Sequence, residues 1–145
     1  GWLHILGNMW TLFIFGDNIE DRMGHGNYLV FYLLSGAAAA ILQSVLMPAS
    51  QVPMIGASGA IAGVLGAYLI LYPRARIVSL VPILFIFTLV EIPAVIYLGI
   101  WFVLQLFSGW SALQGAASGG IAWWAHIGGF VFGVITVQLF TKRRY

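Results

Sequence analysis

The chain has no cysteine, which excludes disulfides and thiolate metal sites outright. Charge is nearly as scarce. Asp, Glu, Lys and Arg supply 7% of the 145 residues, against roughly 25% in a soluble domain, so the chain cannot cover a water-facing surface. None of the four occurs from Met23 to Pro73 or from Ile92 to Thr141. A helix needs about 20 apolar residues to cross a bilayer, so each of these runs has room for two crossings. Also missing is the alternation of polarity over ~10-residue segments that marks a membrane β-barrel. These absences leave an all-α fold, a polytopic transmembrane helical bundle in a lipid bilayer. The net charge of +2 rests on few basic residues, all at loops, and gives no surface for nucleic acid. Nothing resembles a cleavable signal peptide, and Gly1 already lies in an apolar segment. The expectation is a single transmembrane domain over residues 1–145 that has lost its N-terminus.

What is present is apolar length punctuated by breakers. The first helix is expected over Trp2 to Phe15, ended by Gly16 and the charged loop DNIEDRMGHGN. The second runs from Tyr28 to Met47 before Pro48, and the third from Ser58 to Leu71 ahead of Tyr72 and Pro73. Residues 77 to 108 are too many for one span. They are read as a loop or interfacial segment over 77–85 and a fourth helix from Ile86 to Phe107. The loop 108–120, rich in Gly, Ser and Ala, leads to a fifth helix from Ile121 to Phe140. Alternating crossings put Arg22, Arg74, Arg76, Lys142, Arg143 and Arg144, all six basic residues, on one side. By the positive-inside rule that side is cytoplasmic, and the C-terminus with it.

Depth follows from this topology. Ser58 precedes the basic boundary at Arg74 by sixteen residues, and His126 precedes Lys142 by the same number. At 1.5 Å per residue both lie about 24 Å above that boundary, roughly 6 Å below the far surface of a ~30 Å hydrocarbon core. His4 and Asn8, four apart on one helix face, sit near the same outer end. Polar side chains inside a bilayer face the bundle interior, and ionisable ones there mark function by default. No carboxylate is placed at this level, so a serine hydrolase built here would be a Ser–His dyad without an acidic third member.

Each feature also has a plainer reading. In GASGAIAG (56–63), Gly59 and Gly63 form a small-xxx-small pattern for close helix packing, and Ser58 reads either as packing filler or as a nucleophile. The stretch is not the nucleophile elbow of soluble hydrolases, because Ala60 stands where the second glycine belongs and no strand precedes it. His126 lies in AHIGGFVFG, where Gly129 and Gly133 repeat the packing spacing. As a lone membrane histidine it would be a buried hydrogen-bonder; at a depth shared with Ser58 it reads as a general base. His4 alone would be an interfacial residue, but with Asn8 it supplies two donors for a developing oxyanion. Two histidines without an acid make a metal site a poor fit, and no cofactor is expected. His25 lies in the charged loop, Glu91 has no evident role, and Trp101, Trp110, Trp123 and Trp124 read as an aromatic belt.

Together, G-A-S-G at 56–59, A-H-x-x-G at 125–129 and H-x-x-x-N at 4–8 resemble the rhomboid intramembrane serine proteases. They stand in that family's order, and the resemblance covers essentially the whole chain, with the bacterial type the nearest in text. It implies a six-helix fold of which five helices are present, Gly56 among the glycines that shape the site, and a bacterial plasma-membrane location. It implies a Ser58 nucleophile activated by His126, with an oxyanion site made of His4, Asn8 and the Ser58 backbone N–H. Substrates would be transmembrane proteins cut near their outer ends, and the fourth helix and loop 108–120 would form a gate and cap. This chain departs from the family at two points. The family's first helix and long first loop are absent, and Ala62 stands where some members stack an aromatic ring on the histidine. The alternative is a catalytically idle rhomboid-like protein that binds transmembrane helices. A small transporter would need a polar track through the basic half of the bundle, and little of one is there. Oligomeric state leaves no trace in the sequence.

Overall fold

The computed structural model describes residues 1–51, 53–83, 85–115 and 121–142, and arranges them as five helices and one β-hairpin. Arg143, Arg144 and residues 116–120 of the expected 108–120 loop lie outside the described residues. The helices are α1 (Trp2–Met23), α2 (His25–Leu46), α3 (Ser58–Leu71), α4 (Ala94–Leu113) and α5 (Trp123–Phe140). Three of them, α2, α4 and α5, are long and apolar enough to cross a bilayer. Large apolar side chains cover the outside, with Leu3 86% and Leu139 81% exposed, a surface that only lipid tolerates. The protein is an integral membrane protein.

The first helix runs two turns past its expected end. Gly16 is not a stop: a β-carbon there would lie 2.8 Å from the Tyr28 hydroxyl, so the glycine lets α1 and α2 approach. Asp17 to Arg22 simply continue the helix beyond the apolar stretch. Charge ends a membrane span without ending a helix. The connection to α2 shrinks to Gly24, whose φ of +82° suits glycine.

The segment after α3 needs a correction. Residues 77–85 are not a loop, and no helix starts at Ile86. Instead β1 (Arg76–Ile83) and β2 (Ile86–Pro93) pair antiparallel, with Arg76 opposite Pro93 and Leu80 opposite Leu89. The β-branched side chains Ile77, Val78, Val81, Thr88, Val90 and Ile92 favour this pleated backbone. Pro93 drives Ile92 into extended conformation and delays α4 to Ala94. Glu91 accordingly lies on a strand, 3.5 Å from the Arg76 guanidinium.

At the centre stands α3, only 14 residues or about 21 Å long, with every residue from Gly59 to Tyr68 buried. A helix apolar all round belongs inside. At its glycines it packs on α5 backbone to backbone. The missing side chains of Gly129 and Gly133 would run into the Gly59 and Gly63 carbonyls, and that of Gly66 into the Phe130 carbonyl. On its other side, a β-carbon on Gly59 would meet Ala39 of α2 at 2.6 Å. The described basic residues share one end: the Lys142 backbone N–H donates to Arg22 O (3.0 Å), and the Arg22 guanidinium lies 5.8 Å from the Tyr72 ring, beside Arg74 and Arg76.

Candidate functional site

Because α3 is short, its N-terminus lies inside the bundle at the end opposite the basic residues. Ser58 is its first residue. Ala57 provides no side-chain cap, so the first backbone N–H groups of the helix are left for other partners. The chain enters through Gly56, at φ +124°, where a β-carbon would stand 3.0 Å from His4 Cε1 and 3.8 Å from Asn8 Nδ2. That turn carries the serine in against the His4–Asn8 face of α1.

His126 occupies the first turn of α5. The glycine seam below it holds α3 and α5 close, and Ser58 Oγ lies 2.9 Å from His126 Nε2. The two residues matched in depth are thus in hydrogen-bonding reach. His4 and Asn8 line the same cavity of about 900 Å³ as Ser58 and His126. His25 is elsewhere, exposed and hydrogen-bonded to Glu20 at 2.5 Å.

Sequence reasoning missed what holds the imidazole. Its Nδ1 lies 2.8 Å from Oε1 of Gln105, on α4. The Trp101 ring, one turn earlier on α4, lies 6.2 Å from it between centroids at a 32° tilt, and Trp123 meets it edge-on at 6.1 Å. These rings pack on the imidazole, where Ala62 has no ring to offer. Two of the four tryptophans read as an aromatic belt therefore serve the site. Trp124 donates its indole N–H to Gly109 O at 3.1 Å, joining α5 to α4, while Trp110 is 61% exposed as a belt residue would be. Gln43 of α2 accepts the Ala125 N–H at 3.2 Å, sharing it with the Ala122 carbonyl at 3.1 Å in the first turn of α5. The available signal was a glutamine within an apolar helix, four residues after a tryptophan and so on the same face.

A hydroxyl against an imidazole, an anchored far ring nitrogen and further donors around an open cavity make a set suited to nucleophilic attack on a carbonyl. The family model described as Rhomboid domain matches residues 1–143. Rhomboid protein 1, mitochondrial, of Saccharomyces cerevisiae is 30% identical over 137 residues, covering 91% of this chain and 36% of that protein. Presenilin-associated rhomboid-like protein A, mitochondrial, of Danio rerio is 30% identical over 135 residues, covering 91% and 32%. A Bacillus subtilis protein provisionally named rhomboid protease YdcA is 38% identical over 69 residues, covering 48% and 34%. The chain spans about a third of the length of these relatives. No solved structure matches it.

Proposed function

The chain belongs to the rhomboid family, and on that premise we propose that it is an intramembrane serine endopeptidase working through a Ser58–His126 dyad. The observation that carries this reading is the 2.9 Å contact between Ser58 Oγ and His126 Nε2 at the wall of an open cavity. Ser58 Oγ attacks the substrate carbonyl carbon as its proton passes to Nε2. The carbonyl oxygen takes up negative charge beside the His4 and Asn8 side chains and the Ser58 N–H. The imidazolium then protonates the departing amine, leaving an acyl group on Ser58 for water to hydrolyse.

Depth defines the substrate class. A cavity near one membrane face receives the outer end of a transmembrane protein. A peptide bond within a helix is hidden by its neighbours, so segments that unwind readily are favoured. The proposed setting is a bacterial plasma membrane with the basic end in the cytoplasm. The yeast and zebrafish relatives carry mitochondrial names, so fractionation of the source cells decides between the two membranes.

The test is cleavage of a labelled transmembrane substrate by the full-length protein in liposomes. Ser58→Ala and His126→Ala each abolish cleavage while keeping the unfolding temperature, and a fluorophosphonate labels the wild type but not Ser58→Ala. Undiminished cleavage by Ser58→Ala would reject the mechanism. A wild type that binds the substrate and never cuts it would leave the helix-binding reading instead.

A further inference from the structure

Among the described residues, two polar side chains are buried, Ser35 and Gln105. Ser35 gives its hydroxyl to the Phe31 carbonyl one turn back, at 2.8 Å, a local contact that satisfies it. Gln105 has no such local use. It is 7% exposed in the middle of α4, and its carbonyl oxygen lies 2.8 Å from Nδ1 of His126.

A neutral imidazole carries one N–H, and the neighbours of its two nitrogens decide which nitrogen holds it. If Nε2 is to accept the Ser58 proton, Nδ1 must carry the hydrogen. A side-chain carbonyl at 2.8 Å can only accept, so it selects that tautomer. The opposite tautomer would aim an N–H at Ser58 and leave Oε1 facing a lone pair. Trp101, on the same face of α4, fixes the ring from a second direction.

We propose that Gln105 is the positioning residue of this site, a neutral amide standing where an aspartate stands in three-membered Ser–His–Asp triads. This rests on the Ser58–His126 reading. During attack the serine proton moves to Nε2 while the Nδ1 hydrogen stays on Nδ1, donated to Gln105 Oε1. When the C–N bond breaks, the Nε2 proton leaves with the amine. Gln105 never gains or loses a proton.

The test uses the full-length protein in liposomes with a fluorogenic transmembrane peptide. Gln105→Met keeps the length and apolar packing but has no carbonyl, while Gln105→Glu keeps the acceptor. The expected result is a kcat lowered roughly 10- to 100-fold in Gln105→Met, KM within twofold of wild type, and most of the loss recovered in Gln105→Glu. A role in packing alone would penalise Glu at least as heavily as Met, so equal impairment of the two overturns the inference, as does wild-type kcat in Gln105→Met. If Gln105→Met fails to fold, Gln105→Asn takes its place, since its amide is one methylene too short. A slow Asn variant beside an active Glu variant supports the inference, and the reverse overturns it. Ser58→Ala in parallel keeps the two readings apart. A dead Ser58→Ala with an unimpaired Gln105→Met removes only the inference, whereas an active Ser58→Ala removes the dyad beneath it.

Discussion

Any side chain at position 56 meets two obstacles. The backbone there has φ +124°, which L-residues rarely adopt, and a β-carbon would press on His4. Gly56→Ala is therefore expected to lose about 1 kcal/mol or more of stability, and to slow cleavage by displacing His4. Thermal unfolding and a cleavage assay read the two effects, and a full-rate variant would detach His4 from the reaction. On the proposed mechanism Asn8→Ala removes one oxyanion donor among several and costs about 1–3 kcal/mol of transition-state stabilisation, read as a fall in kcat/KM, and an unchanged rate takes Asn8 out of the site. That Ser58, His126, His4 and Asn8 come together was legible in sequence because depth in a membrane can be counted in residues from a charged boundary. Gln105 was not. Its contact with His126 depends on the rotation of α4 about its own axis relative to α5, and no spacing within one helix encodes the rotation of another.

Among elements, the seam between α3 and α5 has the least tolerance. Gly129 and Gly133 face carbonyl oxygens of α3, which cannot swing away as a side chain would. Gly129→Val must part the helices and with them the Ser58–His126 contact. It is expected to abolish fluorophosphonate labelling even where the protein still folds, and labelling at the wild-type rate would contradict the packing described. The Arg76–Glu91 pair is the opposite case. Both partners are mostly exposed, so Glu91→Gln should shift stability by less than about 1 kcal/mol, as thermal unfolding can measure. The α3 boundaries were legible because Gly56 and Pro73 bracket one apolar run. The hairpin was not, because short apolar runs look alike as strand or buried helix. Its signals were the density of β-branched residues and Pro93, which holds the preceding residue extended.

For the whole molecule the open matter is direction across the bilayer. Arg22, Arg74, Arg76 and Lys142 gather at one end, with Ser58 and His126 towards the other. The expected arrangement has the basic end in the cytoplasm, and a chain without cysteine makes the measurement clean. In intact cells an impermeant maleimide should label Gln51→Cys and spare Lys142→Cys until the membrane is opened, and the reverse pattern would invert the topology. The membrane setting followed from composition, the helical bundle from the missing barrel alternation, and the five helices from apolar runs set off by breakers, since only helices and closed barrels satisfy their backbone in lipid. The contact of α3 with α5 has one more consequence. Where two helices meet through peptide groups, their spacing is set by backbone van der Waals contact, with no flexible side chain to compress. Changing lipid chain length should then alter how fast substrates arrive while leaving the turnover of bound substrate constant, much as a fixed gauge keeps its span whatever the load beside it.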